Sequence, residues 1–491
     1  MNHPEPAPGA AQPPEAPPEI RRGTTLELDV VDLAFGGRAL AKRDGFVIFV
    51  ENALPGDRVE AFVTKRRRRY AEARAERILA PSPERVAARC EHVGICGGCR
   101  FQDLAYDEQV RHKERQVEEC LAHLAGIRAV SRPAIRAAKT FHYRNKMEYT
   151  FGRDASGALT LGLHRRGFFD RSFDLGRCHI ATPISSEIVA FARAWARREG
   201  LEPYDTRRHV GLLRFLVVRE GIRTGEVMVN LVASGAHPSF EGFAAELTAR
   251  FPRVVSALLN LSRRKAQVAV GEEERVLAGR ATIEERLGGV SFEISSGSFF
   301  QTNTEQGERL LEVALEGLAL DGTERVLDVY SGTGTFTLPI ARRALEAVGI
   351  ESSDTAVRDA GRNAARNGIA NARFYREEAM ESLRDRFGLG TRDPSRPVAR
   401  PPIDRVLVDP PRAGLHPGVV SRLIHLGAPR LVYVSCNPST LGRDLALLCE
   451  SRYRLEWVQP VDMFPHTPHI ECVAVLTRAD GTAPTGGTLP C

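Results

Sequence analysis

Polar and apolar residues alternate in short runs from Thr25 to about Ile78. Leu26-Glu27-Leu28-Asp29-Val30 and Phe46-Val47-Ile48-Phe49-Val50 show the two-residue period of half-buried strands. Gly36-Gly37, Asp44-Gly45 and Pro55-Gly56 separate such runs, and dipeptides of this kind close hairpins. Five or so short strands in succession predict a small barrel. A helical pattern follows from about Leu104 to Leu124. Between Phe141 and about Leu287 the reading is a mixed α+β block, with strands at Arg214 to Arg219 and Val227 to Val232 and a helix around Ile188 to Ala196. From about Val290 strands and helices alternate as in a doubly wound α/β sheet. The strands fall at residues 325–330, 347–351, 373–375, 405–409 and 431–435, with a helix from about Phe336 after the first. Two last strands are predicted at about 455–464 and 470–477. Residues 388–402, rich in Pro and Arg, read as an inserted loop without an assigned role.

A chain of 491 residues exceeds one hydrophobic core, and ordinary domain size makes three units the expectation. With 43% hydrophobic and 26% charged residues it is neither disordered nor a membrane protein. No apolar run reaches the ~18 to 20 residues that span a bilayer. The N-terminus lacks a basic stretch followed by an apolar core, so a cytoplasmic location is expected. Seven prolines among residues 1–22 predict a disordered tail. Nine cysteines are too few for a disulfide scaffold of this length and are expected to remain thiols. The net charge of +6 is mild, but Lys65-Arg66-Arg67-Arg68-Arg69-Tyr70 concentrates five cations beside a ring.

Ligands of an open parallel sheet lie beyond the carboxyl ends of its strands. After the first strand comes Ser331-Gly332-Thr333-Gly334-Thr335-Phe336, whose glycines let backbone approach a ligand. The second strand ends at Glu351, placed to accept hydrogen bonds from a ribose. Thr337 stands where the dinucleotide fingerprint would need its third glycine, which disfavours a pyrophosphate and favours an adenosine without one, such as S-adenosylmethionine. Glu378 and Asp409 would line the same crevice.

Asp409-Pro410-Pro411-Arg412 follows the fourth strand and Ser435-Cys436-Asn437-Pro438 the fifth. A thiol at a strand end facing a methyl donor suggests a nucleophile, whereas Cys449 on the next helix reads as core. The C5 carbon of uracil is too weak a nucleophile for a sulfonium methyl, and thiolate addition at C6 activates it. The C5 proton must then leave, which requires a base. Glu471 is the candidate, with His466 and His469 as rivals.

Cys90, Cys96 and Cys99 place three thiols in ten residues, in a Gly-rich loop that predicts a metal centre. Cys178 is preferred as a fourth ligand over Cys120, which sits in the helical pattern. Zinc and a four-iron cluster both accept four thiolates, and the spacing does not choose between them. A fourth cysteine would close the cluster, which argues for a structural or RNA-ordering role.

These motifs, with Phe299-Phe300-Gln301-Thr302-Asn303 and Asp328-Val329-Tyr330-Ser331-Gly332-Thr333-Gly334, resemble the RNA uridine-C5 methyltransferases, in their iron-sulfur branch. The resemblance runs from about Thr24 to Arg478. It implies an N-terminal OB-like TRAM β-barrel (23–82), a central α+β domain with the cluster loop (83–288) and a Rossmann-like class I methyltransferase domain (289–480). It further implies that Gln301, Tyr330, Glu351, Glu378 and Asp409 bind S-adenosylmethionine. Cys436 would be the nucleophile, Glu471 the proton acceptor, and Cys90, Cys96, Cys99 and Cys178 the ligands of a 4Fe–4S cluster. Glu377 and Glu381 compete with Glu378 for its place. The barrel would bind RNA through the Lys65 to Arg69 run with Phe35, Phe46 or Tyr70 as stacking surface. The expected product is 5-methyluridine in structured RNA, large-subunit (23S) ribosomal RNA before transfer RNA, made by a monomer without membrane association. Amino-group methylation also uses an Asp-Pro-Pro turn but follows it with an aromatic residue, where this chain has Arg412. A non-catalytic RNA-binding assembly factor would have no need of Cys436 and Glu471.

Overall fold

The computed structural model describes residues 19–34, 36–128, 130–168, 170–387 and 403–479. Two compact units emerge. One comprises the chain to Gly94 with Cys99–Gln116 and His466–Pro468, and the other Ile95–Gly98, Val117–Pro465 and the chain from His469 onward. No helix among the described residues is long and apolar enough to cross a membrane.

The first unit is built on a closed barrel of β1 (Thr25–Ala34), β2 (Arg38–Arg43), β3 (Phe46–Glu51), β4 (Arg58–Arg66) and β5 (Tyr70–Ala80), in the order β1-β2-β3-β5-β4. Strand alternation sends Leu26, Leu28 and Val30 inward and Glu27 and Asp29 outward. Buried Ala39, Ala41, Ala61, Ala71 and Ala73 give the small inner residues a five-stranded closure needs. Asp44 and Gly45 both have positive φ (49° and 80°), which makes the tight β2–β3 turn expected of this dipeptide. The expected disordered tail ends earlier than residue 22: Ile20 is fully buried in the barrel core, and residues 1–18 lie outside the described residues.

The boundary between the units falls within α1 (Tyr106–Ala125). The second unit begins with a six-stranded sheet, order β11-β10-β9-β8-β6-β7. Its strands are β6 (Lys146–Arg153), β7 (Leu159–Gly162), β8 (Leu213–Glu220), β9 (Val227–Ala233), β10 (Val254–Leu261) and β11 (Glu273–Gly279). Helices α2 (Pro183–Arg198) and α3 (Ser239–Arg250) pack through Trp195 and Phe243, whose rings lie 4.6 Å apart. A hairpin of β12 (Thr282–Leu287) and β13 (Val290–Ser295) comes next. The boundary expected at 288/289 is the two-residue turn of this hairpin, and residues of both its strands share one core with the sheet that follows.

That sheet has seven strands in the order β16-β15-β14-β17-β18-β20-β19. In chain order, α4 (Thr304–Leu318) precedes β14 (Arg325–Val329), α5 (Thr337–Ala341), β15 (Glu346–Glu351), α6 (Asp354–Arg366), β16 (Ala372–Arg376) and α7 (Ala379–Asp385). Then come β17 (Arg405–Val408), α8 (Pro417–Leu426), β18 (Arg430–Ser435), α9 (Pro438–Ser451), β19 (Tyr453–Val461) and β20 (Glu471–Arg478). Strands β14 to β18 run parallel, and β20 inserts antiparallel between β18 and β19. The predicted strand to residue 464 stops at Val461. Side chains at the start of α4 take the next two carbonyls: Gln306 donates to Asp462 O at 3.0 Å and Asn303 to Met463 O at 2.9 Å. The 388–402 insertion lies outside the described residues.

One buried charge organises the edge of the barrel unit. Asp57 accepts from Leu54 N (2.6 Å), Ser82 N (2.9 Å) and Arg85 Nε and Nη2 (2.8 and 2.6 Å). Burial pushes its carboxyl up, but the Arg85 bond and the two amides outweigh this and hold it below the ordinary 3.8. A lowered folded-state pKa stabilises above the ordinary carboxylate range and is lost as pH falls through the lower folded value. Hydrogen exchange of β1–β5 amides in the whole chain will therefore accelerate on acidification through that window. Asp57→Ala will cost about 1–3 kcal/mol at neutral pH, because it leaves the Leu54 and Ser82 amides without their acceptor while Arg85 keeps Asp103, and will flatten the acid dependence.

Candidate active site

The strand order of the seven-stranded sheet changes direction between β14 and β17, and such a switch opens a crevice at the carboxyl ends of the two strands. Tyr330 follows β14, Glu351 ends β15, Glu378 follows β16, Asp409 follows β17 and Cys436 follows β18. Because β20 runs antiparallel, its first residue, Glu471, comes to this same end. Ser435 pairs with Cys472 in the β18–β20 ladder, so Cys436 and Glu471 are the next residues along each strand at the crevice.

On the β14 side the chain turns sharply. Tyr330 has φ +76°, a left-handed conformation that is strained for an aromatic residue, and its amide and that of Ser331 both donate to Ile350 O, at 3.0 and 2.9 Å. Glu351 fixes the loop by accepting from Gly332 N (3.1 Å) and Ser353 N (2.7 Å). A Cβ on Gly349 would lie 2.7 Å from both Phe374 and Ser331 side-chain atoms, so the close approach of loop and strand requires glycine there. Asp328 Oδ2 accepts from Thr337 Oγ1 at 2.5 Å, while its buried Oδ1 and the buried Ser331 Oγ have no hydrogen-bond partner among the described residues. Burial, opposed by Thr337 and aided by the charge of Glu351, pushes Asp328 up to about 7.

Gln301 is buried between β13 and α4. Its carbonyl accepts from Asn145 Nδ2 at 2.9 Å, and Gly307, where a Cβ would lie 3.1 Å from Gln301 Cβ, leaves it room. Glu378 is exposed at the N-cap of α7 without a side-chain capping bond. Burial, then the nearby Glu378 charge, pushes the Tyr330 phenol up to about 12. Of the competing acids, Glu377 is engaged by Arg386.

On the β18 side Asn437 caps α9, accepting from Ser439 N at 3.1 Å, and donates from Nδ2 to Arg412 O at 3.0 Å. This single side chain joins the Cys436 turn to the Asp409–Arg412 turn. Cys436 is a half-buried thiol. Burial, then the charges of Glu471 and Asp409, push it up to about 11, against a lowering by Arg412. Burial and Asp409 raise the Glu471 carboxyl well above the ordinary range, and burial and Asp328 raise Asp409 to about 7. The crevice thus gathers ionisable acids that resist simultaneous negative charge.

His466 is one of the two histidines read as rivals of Glu471. It belongs to the barrel-bearing unit, where its carbonyl accepts from Arg100 N and Phe101 N (2.8 and 3.1 Å) and Gln109 Oε1 accepts from its amide at 2.8 Å. His469 packs edge-to-face on Phe464, and Cys449 packs against the sheet core.

In the cysteine loop, His92 N donates to Cys90 Sγ (3.4 Å) and Gly98 N to Cys96 Sγ (3.3 Å). Cys178 is buried, and Cys120 instead meets Ser439 Oγ at 3.5 Å. Among the described residues no three His, Cys, Asp or Glu side chains are gathered as a metal-holding group. On the barrel, Lys65–Arg69 are exposed where β4 turns into β5. Phe46 is fully buried and cannot stack on a base; the outward ring is Phe49, 5.4 Å from Tyr70 and covered by Arg38 at 4.5 Å. Phe35 lies outside the described residues.

Residues 253–479 match the family described as tRNA (Uracil-5-)-methyltransferase and residues 20–75 match the TRAM domain. A protein of Chlorobaculum tepidum described as an uncharacterized RNA methyltransferase is 38% identical over 94% of this chain and 98% of its own. One of Halalkalibacterium halodurans, described in the same way, is 36% identical over 93% and 98%. The crystal structure of the Pyrococcus abyssi tRNA (uracil-54, C5)-methyltransferase in complex with S-adenosyl-L-homocysteine superposes with a TM-score of 0.74 at 31% identity, over 92% of this chain and 99% of that one. The chain belongs to the TRAM-bearing family of RNA uracil-5-methyltransferases.

The electrostatics of the thiol can be read by alkylation. The rate at Cys436 will rise with pH towards a midpoint near about 11. Arg412→Ala will slow it a few-fold at pH 9 by removing the cation that favours the thiolate; unchanged alkylation would remove Arg412 from the site. Peptide mass spectrometry reads both.

Proposed function

We propose that the protein transfers a methyl group from S-adenosylmethionine to C5 of a uridine in structured RNA through a transient bond between Cys436 and C6 of the ring. The observation that carries this reading is the meeting of Cys436, Glu471 and Asp409 at the crevice edge. Bound S-adenosylmethionine supplies an activated methyl and a sulfonium cation. Its fit is supported by buried Asp328 Oδ1 and Ser331 Oγ, unpartnered among the described residues, beside left-handed Gly332 and Gly334. In this reading Gln301, Tyr330, Glu351, Glu378 and Asp409 hold the donor.

The target base leaves its stack to reach the crevice. Cys436, protonated in the free enzyme, loses its proton to solvent when positive charge enters the acid-rich site, and its sulfur adds to C6. The electron pair pushed onto C5 takes the methyl, whose bond to the sulfonium breaks and leaves a neutral thioether. Glu471, ionised in the donor-bound site, then accepts the C5 proton, the C5=C6 bond re-forms and the carbon–sulfur bond breaks, releasing the Cys436 thiolate, which takes its proton back from solvent. A carboxyl raised by burial is a stronger base than an ordinary one, which suits this step.

Large-subunit ribosomal RNA is the proposed substrate, on the strength of the barrel and the cysteine set. Transfer RNA is the second reading, favoured by the 31% identity to the archaeal transfer-RNA enzyme. We further propose that Cys90, Cys96, Cys99 and Cys178 hold a 4Fe–4S cluster. The amide donors directed at Cys90 and Cys96 sulfurs suit thiolate ligands. No step of methyl transfer passes through it.

Cys436→Ala will lower methylation by more than about a thousandfold while donor binding stays within about threefold. Glu471→Gln will slow turnover by about 10²–10⁴ and accumulate a covalent protein–RNA species on denaturing gels. Wild-type-like turnover of either variant contradicts its assigned role. Mapping 5-methyluridine in a strain lacking the gene will show its loss from ribosomal RNA; loss from transfer RNA alone selects the second reading. Anaerobically purified protein will be brown and contain iron and sulfide, whereas colourless protein with stoichiometric zinc contradicts the cluster.

A further inference from the structure

A cavity of about 250 Å³ opens at the β6–β7 edge of the six-stranded sheet, lined among others by Thr150, Gly152, His164, Ser172, Tyr204 and Arg207. None of these residues belongs to the methyl-transfer crevice. The volume falls below the roughly 300–1,000 Å³ of pockets for drug-sized ligands, which suits one planar base. We propose that this cavity receives a second, non-target nucleotide of the RNA substrate and anchors the strand while the target uridine occupies the crevice.

The walls carry the features such a ligand needs. His164 Nε2 lies 3.0 Å from Thr150 Oγ1, which places a paired imidazole and hydroxyl on one wall. Tyr204 presents a half-buried ring held in place by Arg214, 4.4 Å from its centroid, a fixed platform for stacking. Gly152 lets Ser172 pack closely in the wall: a Cβ there would lie 2.2 Å from Ser172 Oγ.

The rim is preformed and basic. Asp205 Oδ1 accepts from the amides of Arg207 (2.8 Å) and Arg208 (3.0 Å), and Asp205 N donates to Val210 O at 2.7 Å; the Arg207 guanidinium pairs with Asp170 on the cavity wall, and Arg208 is the turn's outward cation. Gly211 (φ +103°), where a Cβ would lie 2.2 Å from Pro203 O, closes the loop against its own start. The adjoining loop adds exposed Arg263 and Lys265 next to the lining residue Gln267, while Arg264 pairs with Glu272 at 3.0 Å. Cations at the rim and an aromatic wall inside are the two parts of single-strand recognition, phosphate outside and base within.

The cavity is also coupled to the crevice by one strand. Asn145, immediately before β6, holds the Gln301 carbonyl, and the far end of β6, Thr150 to Arg153, lines the cavity. At about 3.4 Å per residue the two sites are about 20–25 Å apart along β6, a span of several nucleotides.

This inference rests on the proposed action on structured RNA, and the test separates the two. The full-length protein, purified with its cofactors, is cross-linked by ultraviolet light to ribosomal and transfer RNA from a strain lacking the gene, and the attached peptides are identified. Nucleotide adducts are expected on peptides covering residues 150–172 and 203–211. Arg208→Glu, at an exposed position, and Tyr204→Ala will each raise the RNA KM roughly tenfold with kcat and the S-adenosylmethionine KM within about twofold. Wild-type formation of 5-methyluridine with unchanged RNA KM in Arg208→Glu and no adduct in these peptides overturns the anchoring site and leaves the methyltransferase reading standing. Adducts in these peptides without any 5-methyluridine overturn that reading and retain the site.

Discussion

The antiparallel return of β20 into an otherwise parallel sheet is the constraint on which the catalytic edge depends. A seventh parallel strand would carry its first residue to the opposite end of the sheet. Running backwards between β18 and β19, β20 instead begins where the parallel strands finish, and the Ser435–Cys472 register sets Glu471 beside Cys436. A one-residue slip of that ladder would turn Glu471 to the other face of the sheet. Register is secured by the buried run Cys472 to Leu476, which is packed on both faces.

Electrostatic tension follows from the same geometry. Asp328, Asp409, Glu471 and Cys436 are all pushed towards their neutral forms, chiefly by burial and partly by one another. Holding such acids together disfavours the folded chain, and the cations within reach are few: Arg412 from the adjacent turn, and the sulfonium in the proposed complex. In the proposed mechanism the thiol stays protonated until positive charge enters the site.

Much of this was legible in the sequence because strand ends of a parallel sheet all face one crevice, so Glu351, Asp409 and Cys436 announce themselves by position alone. Gln301 has no such signal; it lies between a hairpin and a helix, and only the resemblance pointed to it. The strain at Tyr330 is likewise invisible in composition. On the barrel the reading missed by strand parity: Phe46 and Phe49 both lie in β3, but the pleat buries Phe46 and turns Phe49 outward to Tyr70 and Arg38. Ile20, within a proline-rich tail, carries too little pattern on its own to betray that it fills the barrel core. His466 looked like a rival base from its nearness in sequence to Glu471, yet its bonds to Gln109 give it a place in the barrel-bearing unit.

The most direct measurement uses structured RNA containing 5-fluorouridine, whose fluorine cannot be removed as a proton. After incubation with S-adenosylmethionine, peptide mass spectrometry should find the nucleotide, carrying one added methyl, bonded to Cys436. Stalled reactions that never yield a nucleotide on that residue, while the same RNA with ordinary uridine is methylated, would contradict the covalent mechanism.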